Sequence, residues 1–239
     1  YVFSCGIAAK QMADKVNARI VSNGVKGEVH TYSVTDYAES VINAASGVYS
    51  DKAVNAVKAM LNYGTAAQQY FGYNTDNPAN SIMTDDDKNM DMVGFNTYTG
   101  KLVNADSVSG ISYYGSSLVL ESDTILRNYF ELSDGYSIDN YTFYVKDKDG
   151  NKNIIAPQKT DASLYYIDIS NVKAYELADN VNIYVQKNGD SEDKIMMLEY
   201  GAYVYARYVD KYLDNTALKN LMTAMYHYCN AATEYANIY

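Results

Sequence analysis

Few side chains in this sequence could act as an acid, a base or a nucleophile. The 239 residues include only two histidines, His30 and His227, and two cysteines, Cys5 and Cys229. Histidine is the usual proton carrier near neutral pH, and a cysteine nucleophile needs a base beside it. Neither histidine lies in a known catalytic pattern, since the sequence has no HExxH, GxSxG, P-loop or GxGxxG motif. We therefore predict that the protein is not an enzyme and needs no cofactor.

Carboxylates are plentiful, but their spacing defines no metal site. DKDGNKN at 147–153 resembles a calcium loop, yet its glycine stands fourth where the EF-hand pattern has it sixth. A tight hairpin turn fits this stretch better. TDDDKNMD at 84–91 is an acidic run of the kind that is usually solvated. We expect no metal ion held by four or more protein ligands.

The charge and composition of the chain limit its partners. Its 29 acidic and 19 basic residues give a formal charge of −10, the wrong sign for binding nucleic acid phosphates. No run of about 18 apolar residues is present, so we expect no membrane insertion. The aromatic residues are 27 Tyr and five Phe, without Trp. Tyrosine has an apolar ring and a polar hydroxyl, so such a chain either half-buries many rings or presents them to a partner.

The sequence contains an internal repeat with an offset of 165 residues. AMLNYGTAAQQY at 59–70 and AMYHYCNAATEY at 224–235 share six of twelve residues. MADKVNARIVSNG at 12–24 and LADNVNIYVQKNG at 177–189 share six of thirteen. An offset this long exceeds that of a solenoid with one small element per repeat and indicates tandem domains. We interpret the chain as one full repeat that follows the rear part of another.

Local patterns predict the elements that the two copies share. Alternating apolar residues at 16–20 and 181–185 predict a half-buried strand in each copy. Asn-Gly pairs, at residues 23–24 and 188–189, predict hairpin turns, and a return strand then leads into two helices. The second helix has an apolar and aromatic surface wider than the roughly 100° of a one-sided helix. We expect it to pack on two sides, between its partner helix and the sheet.

Only the second copy has a front half, in which 110–132, 141–155 and 163–169 have strand patterns. The prediction is an α+β fold of antiparallel, sandwich-like β-sheet units, each followed by an αα-hairpin. Residues 1–73 form the rear part of a first repeat, and residues 110–239 form the second repeat. Residues 74–109 are polar, acidic and poorly periodic, which is typical of a linker that wraps a surface or stays mobile.

The two copies differ on the first helix of the hairpin, opposite its core positions. Three polar residues in one copy become apolar or aromatic in the other. These are Glu39, Asn43 and Ser46 in the first copy and Tyr205, Val209 and Tyr212 in the second. If exposed, the second set forms the aromatic patch typical of protein interfaces. Alternatively, the acidic linker or the other copy covers this face. We name the second set as candidate binding residues.

Three stretches carry a resemblance to a known repeated domain. They are YSVTDYAESVI at 32–42, VKAMLNYGTAAQQYFGYNTDNPAN at 57–80 and ISYYGSSLVLESDTILRNYFEL at 111–132. They resemble a repeated domain of large multidomain surface or secreted proteins of gut clostridia. The resemblance implies an extracellular, non-catalytic module that serves in display, adhesion or binding beside other repeat modules, and it provides no catalytic residues to transfer.

These observations predict a binding or adhesion module of a bacterial cell-surface protein. A host protein is the expected partner, with immunoglobulin among the candidates, and neighbouring repeats of the same protein are expected contacts. The runner-up is a carbohydrate-binding module of a secreted polysaccharide-degrading or adhesion protein, which the lack of Trp disfavours. A structural spacer is a further alternative, and an enzyme is the least supported.

Overall fold

The computed structural model describes residues 6–91, 107–121, 124–147, 149–170, 172–177, 182–189, 194–195 and 215–237. The protein is mixed α+β, and its strands form antiparallel sheets. It divides into two compact units, one of Tyr1–Val93 with Asp214–Tyr239 and one of Gly94–Leu213. Of the helices in the described ranges, none combines the length and the hydropathy needed to cross a bilayer.

The first unit contains a two-stranded β-ribbon. Strand β1 (Val16–Ala18) pairs with β4 (His30–Tyr32), and β2 (Val21–Ser22) pairs with β3 (Val25–Lys26), both antiparallel. Between the two pairs, the Gly27 N–H donates to the Ile20 carbonyl at 2.9 Å. The ribbon turns at Asn23 and Gly24, where φ is +49° and +79°. Asn and Gly tolerate this left-handed region, so the predicted hairpin turn is confirmed.

The described residues of this unit also form four α-helices: α1 (Val34–Ile42), α2 (Asp51–Phe71), α3 (Asp85–Lys88) and α4 (Thr216–Ala236). Each begins after a side chain that accepts a hydrogen bond from the backbone N–H three residues further on. These capping residues are Ser33, Ser50, Thr84 and Asn215. Helix α2 ends at Gly72, whose φ of +60° closes the last turn in the left-handed conformation.

Helix α2 packs on two sides, as its wide apolar surface predicts. Every residue from 61 to 68 is buried. On one side α2 lies against α4, where the rings of Tyr63 and Tyr228 stack with centroids 5.8 Å apart. On the other side Gly64 lies against Met12 and Ala79. The sequence predicted that the sheet packs on this second side. Instead, the residues before α1, including Met12, and the residues after α2, including Ala79, pack there.

The described part of the second unit contains two four-stranded antiparallel sheets. Its strands are β5 (Ile111–Leu120), β6 (Thr124–Leu132), β7 (Tyr141–Lys146), β8 (Lys152–Ile155), β9 (Gln158–Lys159), β10 (Tyr165–Ile169), β11 (Tyr184–Lys187) and β12 (Lys194–Ile195). The strand orders are β5-β6-β10-β9 and β12-β11-β7-β8. Residues of both sheets form one apolar cluster around Phe130, Phe143 and Ile167. The two phenylalanine rings are 5.0 Å apart.

The half-buried strand predicted at 16–20 is wrong for the first copy. Ala18 is exposed there, and 71% of the Ile20 surface is accessible to solvent. In the second copy, Ile183 and Val185 at the equivalent positions are fully buried. The alternation is the same in both copies, but among the described residues only the second has a sheet that covers it. Periodicity identifies an apolar side and says nothing of what covers it.

The division into units differs from the predicted domain boundaries. The prediction ended the first part at residue 73 and grouped the last helix with 110–239. In the structure α4 belongs to the first unit, because it packs along α2. The first described part of the predicted linker, residues 74–91, is also part of this unit, with Ala79 and Met83 buried in it.

Candidate binding surfaces

The predicted binding residues Tyr205, Val209 and Tyr212 lie outside the described residues. Their counterparts in the first copy are Glu39 on α1 and Asn43 and Ser46 just after it. All three are exposed. These three exposed positions therefore lie at the end of α1 and in the loop after it, so they do not form one face of the helix as predicted.

Many tyrosines of the described residues are exposed. They are Tyr32, Tyr37, Tyr49, Tyr70, Tyr114, Tyr136, Tyr175 and Tyr235. Tyr37 is 59% exposed on α1, and the loop after α1 carries Val48 at 62% and Tyr49 at 40%. This loop, with sequence NAASGVYS at 43–50, combines Tyr, Ser, Gly and Asn. The same residue types dominate antibody binding loops, where rigid rings supply contact area and small polar residues adapt to the partner.

A row of polar side chains crosses the buried part of α2. Asn62, Thr65 and Gln68 are 5%, 8% and 1% exposed. Gln68 accepts from the Ala79 N–H at 2.8 Å and donates to the Asn77 carbonyl at 3.0 Å. Buried polar groups are stable only when they are paired, and here the backbone after α2 supplies the partners. The row therefore fixes residues 77–80 against the helix.

The first two residues of the row also bind Asn80. The Asn80 backbone N–H donates to Thr65 Oγ1 at 2.9 Å, and its side-chain amide donates to Asn62 Oδ1 at 2.8 Å. The Asn62 amide then donates to the Asp87 carbonyl at 2.9 Å. The sequence analysis missed these residues. Their spacing of three along an otherwise apolar helix face was the available signal, because polar residues at core positions need partners.

A polar cavity of about 460 Å³ opens beside this network in the first unit. It is lined by Asn62, Thr65, Ala66, Gln69, Pro78, Asn80, Lys88, Met90, Asn220 and Thr223. The volume falls in the range of small-molecule sites. Of the described residues that line it, most carry amides or hydroxyls, Lys88 is the one charged residue, and none is a carboxylate. Such a wall can hydrogen-bond a neutral or acidic polyhydroxylated ligand.

An ion pair connects helix α3 to helix α2. Lys58 Nζ lies 2.7 Å from Asp87 Oδ1, and both side chains are about one quarter exposed. Asp87 also accepts from the hydroxyl of Thr84. The hydrogen bonds from Lys58 and Thr84 lower the pKa of the Asp87 carboxyl below its ordinary value. This pairing accounts for one carboxylate of the acidic run, which the sequence analysis interpreted as simply solvated.

The two histidines have structural environments. His30 is exposed on the ribbon with its ring 6.3 Å from that of Tyr32. His227 Nε2 lies 2.8 Å from the Asp91 carbonyl oxygen. Cys229 is buried and not in a disulfide, and Cys5 lies outside the described residues.

The carboxylates of the described residues form no cluster of three or more potential metal ligands. At the calcium-like stretch, Asp147 Oδ1 accepts from the backbone N–H groups of Asp149 and Asn151 at 2.9 and 2.8 Å. Hydrogen bonds from Asn151 lower the pKa of Asp147. The carboxylate thus closes the β7–β8 turn, as the hairpin interpretation predicts.

The strongest ion pair in the described part of the second unit supports the sheet. Arg127 on β6 donates through Nε and Nη2 to both oxygens of Asp168 on β10, at 2.7 and 2.8 Å. Its guanidinium lies 4.1 Å from the ring centroid of Tyr166. Arg127 and Asp168 are direct cross-strand partners in the sheet. The paired carboxylate raises the pKa of Arg127, so the pair stays ionised and serves structure.

Comparison with protein-family models, with curated proteins and with solved structures gave no match to this chain.

Proposed function

We propose that this protein is a non-catalytic, extracellular binding or adhesion module of a bacterial cell-surface protein. Its partner is a host protein, with immunoglobulin among the candidates. The module is built from a tandem repeat whose front half is a sandwich-like pair of sheets and whose rear half is a helical hairpin. The large exposed content of tyrosine supports a protein partner, because tyrosine is enriched at protein interfaces.

The positions of the elements support the tandem repeat. Helices α2 and α4 both have 21 residues, and their first and last residues are 165 apart. Short 3-10 helices at Ala9–Gln11 and Ala174–Glu176 have the same offset. The turns at Gly24 and Gly189 both have positive φ and are also 165 residues apart. One shift thus relates three pairs of features along the chain.

The observation that carries the proposed site is the exposure of Glu39, Asn43 and Ser46. If the two copies share one fold, Tyr205, Val209 and Tyr212 occupy positions that are exposed in the first copy, at the end of α1 and just after it. Two tyrosines and a valine at such exposed positions would supply a rigid apolar contact surface. Centres of protein interfaces are enriched in such residues.

A binding experiment with immunoglobulin and serum proteins tests this proposal. The variant Tyr205→Ala with Tyr212→Ala should weaken capture of the bound protein by roughly tenfold or more, since such ring contacts often dominate an interface. The matched control is Glu39→Ala with Ser46→Ala in the first copy, which should leave binding unchanged. Equal binding by both double variants would exclude this face.

A gain-of-function graft makes the test sharper. Glu39→Tyr, Asn43→Val and Ser46→Tyr place the residues of the second copy at the equivalent exposed positions of the first copy. We expect the graft to add a second binding site of the same specificity, seen as a doubled stoichiometry in calorimetry. If the grafted chain folds but binds only one partner, these three residues are not sufficient to form a binding site.

Carbohydrate binding is a second candidate, favoured by the polar cavity. The backbone N–H and the side-chain amide of Asn80 both donate to the network. In the described residues, no hydrogen bond is given to its Oδ1. Together with Asn220 on α4, Asn80 offers amide groups to sugar hydroxyls. A glycan array with the wild type and with Asn220→Leu tests this candidate. Binding that Asn220→Leu abolishes would support it, and an empty array with no captured host protein would leave the spacer role.

A further inference from the structure

The second unit shows how one strand of the repeat is buried. Strand β11 lies between β12 and β7 in its sheet. Its register with β7 places Tyr184 opposite Tyr144 and Val185 opposite Phe143. Val185 is fully buried, and the rings of Tyr184 and Tyr144 stack at 5.2 Å. Strand β7 therefore supplies both hydrogen bonds and aromatic contacts to β11.

The first unit contains the equivalent stretch of chain without that neighbour. A shift of 165 residues places β11 on residues 19–22, of which 21 and 22 form β2 and 19 and 20 lie between β1 and β2. Residues 21 and 22 pair with β3 on one side. Among the described residues, no strand pairs with the other side. Ile20, at the position of the buried Val185, is 71% exposed, and Val21 beside it is 56% exposed.

An exposed two-stranded ribbon with apolar side chains is an unusual surface. Two strands alone are marginally stable in water, and an open apolar edge invites another strand. Three more apolar side chains of the ribbon are also exposed. They are Val25 at 72%, Val29 at 51% and Tyr32 at 60%. The ribbon has the chemistry of a strand-addition site.

We propose that this edge, residues 19–22, binds an antiparallel strand of the β7 type from the front half of another repeat of this kind. The proposal rests on the tandem repeat of the proposed function. The established contact between β7 and β11 is its template. In this chain β7 is already paired on both sides, by β8 and β11, so the added strand comes from a different repeat.

The residues of the edge complement such a strand. In the register of β7 with β11, Arg19 takes the place of Tyr184 and meets the equivalent of Tyr144, while Ile20 meets the equivalent of Phe143. A guanidinium packs well on a tyrosine ring. In the second unit Lys146 already lies 4.3 Å from the Tyr184 ring centroid, so cation and tyrosine pairs are native to this interface.

A peptide experiment on the full 239-residue chain tests the inference. The probe is a fluorescent peptide with the sequence YTFYVKDKDGNKNII, which is residues 141–155 and contains β7 and β8. We expect saturable binding by fluorescence anisotropy. Ile20→Glu should weaken it roughly tenfold or more, because a charge replaces an apolar contact that the partner strand buries. Arg19→Ala should weaken it by a smaller factor.

Two controls make the result decisive. Ile154→Glu changes an isoleucine that is 73% exposed in the second unit, and it should leave peptide binding unchanged. A peptide with Phe143→Ser should bind less tightly than the parent. No binding up to millimolar peptide, or binding that Ile20→Glu does not change, would overturn the inference. Capture of a host protein through Tyr205 and Tyr212 is measured separately, so either proposal can fail while the other stands.

Discussion

Gln68 illustrates how a single side chain shapes the first unit. It is 1% exposed, and its amide is hydrogen-bonded to the backbone of residues 74, 77 and 79. That stretch has no regular structure of its own until α3, so a side chain takes the place of a helix or sheet partner. The same stretch forms one wall of the polar cavity. Gln68 therefore links the stability of the helix to the shape of a candidate site.

Removal of this amide should destabilise the first unit. Gln68→Ala leaves the Ala79 N–H and the Asn77 carbonyl without their partner, at a cost of about 2 kcal/mol in the free energy of unfolding. The next residue, Gln69, is exposed and provides the matched control. Gln69→Ala should change the same quantity by at most ~0.5 kcal/mol. Urea unfolding followed by circular dichroism measures both, and equal effects would contradict the role assigned to Gln68.

The Lys58–Asp87 pair predicts a pH dependence. The pKa of Asp87 is lowered in the folded protein from its ordinary 3.8, because Lys58 and Thr84 donate hydrogen bonds to the carboxylate. A lowered folded pKa stabilises the fold above the unfolded pKa, and this stabilisation is lost as the pH falls through the folded pKa. Asp87→Asn should therefore have a lower Tm than the wild type at neutral pH. When the pH falls below the ordinary pKa of 3.8, the Tm of the variant should decrease less than that of the wild type.

Asp85 provides the control for this prediction. Its side chain is fully exposed, and its contact with Lys88 is 3.6 Å long. Surface pairs of this kind contribute little. Asp85→Asn should therefore give a pH–Tm curve parallel to that of the wild type. If Asp87→Asn gives a parallel curve as well, the Lys58 pair is not coupled to folding.

Among the elements, α2 is constrained most tightly at Gly64. A Cβ atom at this position would lie 2.8 Å from the Met12 sulfur, 3.1 Å from the Ala79 Cβ and 3.3 Å from the Ala9 carbonyl oxygen. The equivalent residue of α4 is Cys229, which is buried with its side chain in place. The two helices thus have similar sequences, but the residues that pack against this position differ. Glycine in α2 marks where the chain before the helix approaches its backbone.

Gly64→Ala tests this close approach. Alanine improves helix propensity by about 1 kcal/mol, whereas overpacking costs about 1–3 kcal/mol. We expect net destabilisation, because the Ala9 carbonyl and the Ala79 methyl cannot rotate away. Met12→Ala removes the nearest atom, so the double variant should be less destabilised than the sum of the two single variants. Strict additivity in thermal unfolding would show that Met12 does not limit this position.

Element boundaries were predictable where the signal was local. The turns at Asn23 and Asn188, the long helices and the β7–β8 hairpin each depend on neighbouring residues, and the structure contains all of them. The exposure of Ile20 was not predictable, because the alternation of apolar residues does not show whether another element covers them. The cavity was also not predictable, because Asn80 and Asn220 come together only when α4 lies beside α2.

At the scale of the whole chain, the two ends meet in one unit while the middle forms the other. Helix α4 closes the buried surface of α2, with Leu61, Leu221 and Ala224 each fully buried. This grouping separates α4 from the strands that precede it along the chain. If the proposed tandem repeat is correct, the second helix of one copy packs against the corresponding helix of the next copy.

Hydrogen exchange can test this grouping with one substitution in each unit. Leu221→Ala creates a cavity beneath α2 and should destabilise the first unit by about 2–5 kcal/mol. Amides of residues 51–71 should then exchange faster, while those of β6 and β7 keep their rates, because local stability follows the cooperative unit. Leu126→Ala removes a leucine that is 2% exposed on β6 and should give the opposite pattern. If Leu221→Ala instead accelerates exchange in β7 and β11 and spares α2, then the last helix belongs with the strands that precede it. Helix α4 would then belong to the domain of residues 110–239, as the sequence repeat predicts.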